Sequence, residues 1–306
     1  MIRFGLAVPQ TLATTETLDV GGVVEVARRA EDLDYHSLWV GDGLATPSSM
    51  EALTLLSFTA AVTTSVRLGT SVIVLPWRDP VLLAQAAATL DHLSGGRVIL
   101  GVGIGDRRPE DAAFGVGRNR PALFEEQIRL IRRCWEDGEV VWEGEAWRFA
   151  GVGVGPKPLQ KPALPIWFGG EGTASLERAA RLGDGWMGRG SSTAETFARA
   201  VAALRRDLER VGRRDEPFPL SKRVFAHVVV DGRIDRATER FAAWSADVYG
   251  DAGLVPRCGV VGDPDACVAG LTPIVEQGLD LVLLDPLFDI AEQARLFREH
   301  VLPAFG

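Results

Sequence analysis

The sequence predicts an α/β chain folded as a (β/α)8 TIM barrel that spans residues 1–306 as one domain. About eight short apolar runs alternate with longer amphipathic stretches along the 306 residues. Continuous apolar runs are typical of parallel strands buried on both faces. No Pro/Ser-rich linker separates the repeats, and a barrel of this class usually has about 250 residues or more. An open, doubly wound sheet is the alternative.

The predicted strands are the apolar runs themselves. In chain order they are Arg3–Val8, Ser37–Gly41, Arg67–Leu75, Arg97–Gly103, Pro165–Gly169, Gly185–Gly188, Lys222–Val230 and Leu279–Asp285. Helical patterns lie between these runs. In one of them, Phe124, Ile128, Ile131 and Trp135 recur at a spacing that places all four side chains on one face of a helix.

Capping residues mark the starts of several predicted helices. Asp79-Pro80 and Asp263-Pro264 each place an acid before a proline at the first helical position. Ser192 and Glu195 have the spacing of a capping box, which predicts Ser192 as a third N-cap.

One segment, Glu139–Lys161, breaks the alternation before the fifth strand. Val140, Trp142 and Phe149 surround a Glu-Gly pair and predict a short hairpin, which a Gly/Pro-rich loop follows. We interpret this segment as an insertion, and packing or a dimer contact is its most ordinary role.

Charge and cysteine content exclude several classes of partner. The net charge of −8 and the pI of about 5.2 make nucleic acid and anionic membrane surfaces poor partners. Cys134, Cys258 and Cys267 are odd in number and lack CxxC spacing, which favours reduced thiols in a cytoplasm. No export signal and no apolar run long enough for a bilayer is evident.

The chemistry-bearing motifs that most enzyme classes require are also missing. The four histidines are scattered, and no HExxH, CxxC, GxSxG or P-loop pattern occurs, so we expect no metal site and no nucleophilic hydrolase. The run Gly101, Gly103, Gly105, Asp106 lacks the third glycine of the dinucleotide-binding fingerprint. Barrel enzymes place their active sites at the carboxyl ends of the strands, where this chain carries glycines and a few polar residues.

Two glycine-rich strand ends predict a cofactor site. Gly103 ends the fourth predicted strand, where a missing side chain lets a flat ring approach the backbone. After the fifth strand, Gly169, Gly170, Gly172 and Thr173 open a helix. Free N–H groups and the helix dipole at such a turn favour an anion, so this turn predicts a phosphate cradle.

Taken together, the blocks resemble one family. SLWVGD, LGTSVIVLP, RDPVLLAQAAATLDHLSGGRVILGVGIG, GPKPLQKPALPIWFGG and ERAARLGDGWM follow one another over roughly residues 2–190. Their order and spacing resemble the bacterial-luciferase-like superfamily of flavin- and F420-dependent oxidoreductases. The likeness is greatest to its short F420-dependent branch.

The resemblance implies roles for residues at two strand ends. The family's aspartate after strand 2, which approaches the polar edge of the flavin or deazaflavin ring, falls on Asp42. The family's bulge after strand 3, a non-proline cis peptide that backs the ring, falls on Ser71-Val72.

The resemblance also assigns the phosphate-binding loop. It falls on Gly169, Gly170, Gly172 and Thr173, and Arg189 would lie beside the same phosphate and donate charge-assisted hydrogen bonds. Both roles are implied by the family.

Two positions depart from the family pattern. Many relatives carry a catalytic histidine where this chain has Gly43, which has no side chain to move a proton. Asp106 stands where relatives often carry an acid. If a proton must move, Asp106 is the candidate catalytic residue together with Asp42, although a loop turn or an ion pair with Arg107 or Arg108 would also explain it.

Three functions remain open from the sequence. The first is F420-dependent hydride transfer to or from a small organic substrate, with a reductase that supplies reduced cofactor. The second is a two-component monooxygenase that uses reduced FMN, and the third is a non-catalytic flavin-binding barrel. Trp77 and Phe114 are candidate pocket residues, and a homodimer is the family-like expectation. Basic residues for the F420 tail are Arg107, Arg108, Arg118, Arg120 and Arg189.

Overall fold

The computed structural model describes residues 2–10, 20–44, 49–106, 109–117 and 119–306. Among these residues, no helix combines the length and apolarity that crossing a bilayer requires. Cys134, Cys258 and Cys267 are buried thiols.

The strands and helices of the described residues alternate along the chain. The strands are β1 Arg3–Ala7, β2 Ser37–Val40, β3 Arg67–Thr70, β4 Ile73–Val74, β5 Val98–Gly103, β6 Val140–Glu143, β7 Arg148–Val152, β8 Ile166–Gly169, β9 Gly185–Gly188, β10 Leu220–Val228, β11 Val260–Gly262 and β12 Leu281–Asp285. The helices are α1 Val20–Asp32, α2 Ala52–Val62, α3 Pro80–Ser94, α4 Arg120–Trp135, α5 Thr173–Leu182, α6 Ala194–Arg210, α7 Ile234–Tyr249, α8 Leu254–Cys258, α9 Pro264–Val275 and α10 Ile290–His300.

The main sheet closes into a parallel barrel. Neighbouring strands run in the order β10, β12, β1, β2, β3, β5, β8 and β9, and β9 pairs again with β10. Leu220 of β10 lies opposite Trp186 of β9 at this closing seam. The closed ring of eight parallel strands confirms the predicted barrel and excludes the open, doubly wound sheet.

Each predicted strand run contains a barrel strand, with two corrections. The third run, predicted as continuous from Arg67 to Leu75, is divided into β3 and β4, and a 3-10 turn begins at Leu75. The short strand β11, which pairs with the end of β10, was not predicted. Its three residues, Val260–Gly262, are too few to show a periodic pattern.

The capping predictions are confirmed at two sites and wrong at one. The Asp79 side chain accepts hydrogen bonds from the N–H groups of Val81 and Leu82, and Asp263 accepts one from Ala266. The N-cap of α6 is Thr193, one residue after the predicted Ser192. Ser192 instead donates its hydroxyl to Glu171 Oε1 at 2.7 Å.

The predicted insertion is an antiparallel hairpin of β6 and β7, in which Trp142 lies opposite Phe149. Glu126 of α4 fastens its turn, because its carboxylate accepts hydrogen bonds from Trp142 Nε1 and from the N–H groups of Ala146 and Trp147. The hairpin is therefore tied to a barrel helix by one buried acid.

Large apolar side chains fill the barrel interior. Trp39 and Trp167 pack with ring centroids 5.6 Å apart, in a cluster with Ile99, Met187 and Leu283. Trp186 of β9 stacks on Phe197 of α6 with ring centroids 5.5 Å apart. All three tryptophans are buried, as expected for core residues.

Hydrogen bonds from polar side chains stabilise the amino ends of the strands. The Arg97 guanidinium is buried and donates to the carbonyls of Ala60, Thr63, Ser94 and Val66. Such interactions at the amino end of a barrel support stability and leave the opposite end for chemistry.

Candidate functional site

The bulge after β3 is the centre of the carboxyl end of the barrel. The Ser71–Val72 peptide bond is cis, as the resemblance implied. A Cβ at position 103 would lie 2.7 Å from Val72 Cγ2, and one at position 169 would lie 2.9 Å from Val72 Cγ1. Gly103 and Gly169 therefore make room for the Val72 side chain. The Val72 side chain thus occupies the space that a side chain at Gly103 would fill. Contact between Gly103 and a cofactor ring stays a prediction.

Asp42 braces this bulge. Its Oδ1 accepts hydrogen bonds from Arg78 Nη2 at 2.7 Å and from Leu44 N at 3.2 Å, and its Oδ2 accepts one from Val74 N at 2.9 Å. The carboxylate is 1% exposed. Both oxygens are therefore used within the chain, and Asp42 fixes the segment that follows the cis peptide. Contact between Asp42 and a cofactor ring stays a prediction.

Position 43 is closed by packing. Gly43 is buried, and a Cβ there would lie 2.0 Å from Ser49 Oγ. A histidine at this position would require Ser49 and its segment to move. The packing of Ser49 thus accounts for a glycine at position 43, where many relatives have a histidine.

The predicted phosphate cradle forms the start of α5. Gly172 is the N-cap with φ −68°, and a Cβ there would meet nothing within 4 Å. Ser175 N and Leu176 N donate to the Gly172 carbonyl, while the first N–H groups of a helix have no partner within the helix. Gly170 adopts φ +115°, a conformation that side chains disfavour.

Arg189 and Asp106 lie together beside this turn. Arg189 Nη2 is 3.5 Å from Asp106 Oδ2, and the two side chains are 49% and 71% exposed. The sequence makes Asp106 the candidate for proton transfer, with a loop turn or an ion pair to Arg107 or Arg108 as the alternative. Those two arginines lie outside the described residues, along with Arg118. Among the described residues, Asp106, which follows β5, pairs with Arg189, which follows β9, two strands along the barrel.

A buried lysine holds the segment that carries Arg189. Lys222 Nζ donates to the carbonyls of Arg189 and Ser192 and to Ser192 Oγ at 2.7–3.0 Å. Glu171 Oε1 accepts the Arg189 N–H at 2.8 Å. Burial lowers the pKa of Lys222 to about 8, against the opposing effect of Glu171. Sequence reasoning missed Lys222, although a lysine within an apolar strand run was its signal.

Phe114 and Arg120 follow β5, whereas Trp77 belongs to the 3-10 turn after β4. Arg120 is buried, and its guanidinium donates to the carbonyls of Ile104 and Asp106 and to Asp111 Oδ2. It is therefore engaged in fixing its own loop, which corrects the expectation that it binds a cofactor tail. Trp77 donates to Asp111 Oδ1 at 2.8 Å and stacks on Phe114 at 5.3 Å.

A cavity of about 600 Å³ opens at the carboxyl ends of β1, β2, β10 and β12. Ser71, Arg223 and Asp285 line it, with Trp39, Trp244 and Phe288 among its apolar walls. Trp77 and Phe114 lie elsewhere, so neither contributes to this cavity. Sequence reasoning missed Arg223 and Asp285. Their signals were an arginine near the start of one apolar strand run and an aspartate at the carboxyl end of another.

In the part of the chain that the structure describes, no group of three or more His, Cys, Asp or Glu side chains could hold a metal ion.

Comparisons with known proteins agree with this architecture. The F420-dependent glucose-6-phosphate dehydrogenase of Kineococcus radiotolerans is 33% identical over 74% of this chain and 65% of its own length. The protein of the same name from Amycolatopsis mediterranei is 28% identical over 95% of this chain and 96% of its own. The solved monooxygenase RslO1 from Streptomyces bottropensis is 27% identical and superposes over 100% of both chains with a TM-score of 0.85. Residues 2–281 match the luciferase-like monooxygenase family. The chain therefore belongs to that family and is an oxidoreductase of its flavin- and F420-dependent class.

Proposed function

We propose that this protein is an F420-dependent oxidoreductase that transfers hydride between the deazaflavin and a small organic substrate. One observation carries the proposal: the cis bulge at Ser71-Val72, the open N-terminus of α5 and Arg189 share the carboxyl end of one barrel. A ring backed by the bulge and a phosphate at α5 require this arrangement.

The residues present fit a phosphate-bearing cofactor. The space beside Gly172 is open, so an anion can approach the first N–H groups of α5. Arg189 adds a partly exposed guanidinium that charge-assisted hydrogen bonds can reach. When bound, the deazaflavin supplies the hydride chemistry, while the barrel orients the ring and keeps water away.

Proton movement is assigned to Asp106. Its exposed carboxylate lies next to Arg189 at the rim of the proposed cofactor site. A carboxylate at this place can exchange a proton with a substrate directly or through one water. The proposal further includes a reductase that supplies reduced cofactor and a homodimeric assembly.

The cofactor assignment draws on the relatives. Two relatives that align with most of this chain are named as F420-dependent dehydrogenases. A monooxygenase that uses reduced FMN is the second candidate. The tight packing of Ser49 against Gly43, where many relatives carry a histidine, and the likeness to a Streptomyces bottropensis monooxygenase favour it. A non-catalytic flavin-binding barrel is the third.

Titration of the purified protein separates these candidates. We expect F420 to bind with a micromolar or lower Kd, and FMN in either redox state to bind at least tenfold more weakly. Preference for reduced FMN would assign a two-component monooxygenase. Tight F420 binding with no turnover change in Asp106→Ala, over a panel of substrates, would favour the non-catalytic barrel. Binding of no cofactor would contradict the proposal.

A matched pair of variants at Gly172 tests the phosphate cradle. Gly172→Asp fits the open space and supplies a preferred N-cap, so the fold should be as stable as before. Its carboxylate occupies the same N–H groups and repels the phosphate, so we expect the Kd for F420 to rise about 100-fold, which corresponds to about 2.7 kcal/mol.

The control is Gly172→Ala, which adds neither a charge nor a capping side chain. It should change the Kd for F420 less than about threefold, a free-energy change no larger than that of one weak contact. A phosphate-free deazaflavin should bind all three proteins equally. Equal F420 affinity in Gly172→Asp would remove the cradle assignment. Gly170 is a poorer test site, because its φ of +115° strains any side chain.

A further inference from the structure

The cavity beside Ser71 contains one polar pair within an apolar wall. Arg223 Nε donates to Asp285 Oδ2 at 2.8 Å, and Arg223 Nη2 donates to the same oxygen. Among the described residues, Arg223 Nη1 and Asp285 Oδ1 have no hydrogen-bond partner. Because both residues line the cavity, one donor and one acceptor lie side by side for a ligand.

Charge at the cavity opposes an anionic ligand. Its lining includes two arginines against four acids. Arg223 is paired with Asp285, and Arg29 Nη2 lies 3.0 Å from Glu25 Oε1. Each arginine of the lining is therefore already paired, and the other two acids, Asp289 and Glu292, pair with Arg240 and Arg295. With two arginines against four acids, the lining that the structure describes has no unpaired cation to attract a phosphate or carboxylate.

The side chains that line the cavity favour a ligand with a large apolar surface. Trp39, Trp244 and Phe288 contribute aromatic surface, and Leu287 and Ile290 add aliphatic surface. A ligand that fills about 600 Å³ here gains mainly from burying carbon. A polar atom of the ligand must hydrogen-bond to the Arg223–Asp285 pair, because burying it against apolar side chains without a partner costs free energy.

We infer that this cavity binds the substrate, and that the substrate is a neutral, largely apolar alcohol or ketone whose oxygen contacts Arg223 and Asp285. A ketone oxygen accepts from Nη1. A hydroxyl accepts from Nη1 and donates to Oδ1. The inference rests on the proposed function, because the cavity reaches Ser71 and thus the place where the ring is proposed to bind.

Binding of small probes tests the inference without the cofactor. Trp39 and Trp244 line the cavity, so a bound ligand should quench tryptophan fluorescence. We expect 1-phenylethanol and acetophenone to quench saturably, and glucose 6-phosphate not to quench. Tighter binding of glucose 6-phosphate, or no saturable quenching by either neutral probe, would overturn the inference whatever any variant shows.

A double variant isolates the oxygen contact. Arg223→Met with Asp285→Leu removes the pair together, so neither charge is left buried alone. We expect its Kd for 1-phenylethanol to rise at least tenfold, while its Kd for ethylbenzene, which has no oxygen, stays within about twofold. Ethylbenzene binding also reports that the cavity is intact.

The matched control is Arg257→Met, which breaks the exposed ion pair with Asp251 away from the cavity and should leave every Kd unchanged. Equal 1-phenylethanol affinity in the double variant and the original protein would contradict the contact. F420 binding with no probe binding would refute this inference alone. Probe binding without F420 binding would refute the proposed function alone.

Discussion

Asp42 and Val72 show how single residues build the site. Asp42 is a buried carboxylate whose two oxygens accept three hydrogen bonds from its own chain. Val72 presses its methyl groups toward Gly103 and Gly169. The family pattern at these positions thus has a physical cause in this chain: the residues shape and hold a backbone bulge.

Lys222 is a positioning residue for Arg189. Its ammonium binds two carbonyls and one hydroxyl of the 189–192 segment, which presents Arg189 to the proposed phosphate. We expect Lys222→Met to raise the Kd for F420 about tenfold and to leave the Kd of a phosphate-free deazaflavin unchanged. Fluorescence titration measures both values.

The pH profile distinguishes positioning from general stability. Burial lowers the pKa of Lys222 to about 8, so the three-donor ammonium is present below pH 8 and is lost above it. F420 affinity should therefore fall as the pH rises through 8, and this dependence should vanish in Lys222→Met. Lys157→Met is the control, because Lys157 Nζ donates to the Cys134 carbonyl instead. An identical profile in Lys222→Met would refute the role.

Among the elements, the hairpin of β6 and β7 depends most on one residue. Glu126 accepts hydrogen bonds from Trp142 Nε1 and from three N–H groups of the turn. We expect Glu126→Ala to release the turn and to speed tryptic cleavage after the exposed Arg148 about tenfold, equivalent to losing about 1.4 kcal/mol. The barrel strands should keep their protection from proteolysis.

Glu125→Ala is the matched control for the hairpin. Glu125 lies one residue earlier on α4 and pairs with Arg129 and Arg181, so its loss should not affect the turn. Equal cleavage rates in the two variants would show that the hairpin is held by other contacts.

In the molecule as a whole, one end of the barrel serves stability and the other carries the proposed site. Polar networks around Arg97 and Glu31 hold the amino ends of the strands, and the proposed site occupies the carboxyl ends. The assignment of residues 1–306 to one domain stays a prediction, although the closed sheet takes strands from Arg3 to Asp285.

Glu31 gives this division a pH-dependent test. Burial raises the pKa of Glu31, but hydrogen bonds from Ser65, Val66 and Thr64 outweigh it and lower the pKa from 4.5 to about 2. A lowered carboxyl pKa contributes stability above pH 4.5 that is lost as the pH falls through 2. Because solvent screens the partly exposed Glu31 carboxylate, we expect Glu31→Gln to reduce the free energy of unfolding by only about 1 kcal/mol at pH 7.

The difference between Glu31→Gln and the original protein should shrink as the pH falls from 4.5 to 2, as denaturant unfolding at several pH values would show. F420 affinity at pH 7 should be the same in both proteins. A stability difference that does not change with pH would contradict the role given to the Glu31 carboxylate. A loss of F420 affinity in the variant would contradict the view that the amino end of the barrel serves stability alone.

The strands, two of the three predicted N-caps and the hairpin could be read from the sequence. Each depends on local chemistry: apolar runs, an acid before a proline, or β-branched and aromatic residues around a Glu-Gly pair. The cis peptide at Ser71-Val72 could be placed only through the resemblance, because no local pattern encodes it.

By itself, the sequence determined the barrel class, the family and the turn at Gly169–Thr173. Tertiary structure alone decided which side chains meet. Arg189 joins Asp106 across 83 positions, Lys222 reaches Ser192 across 30, and Arg223 reaches Asp285 across 62. Closing the ring of strands creates these contacts, since the carboxyl ends of strands far apart in the chain converge on one face.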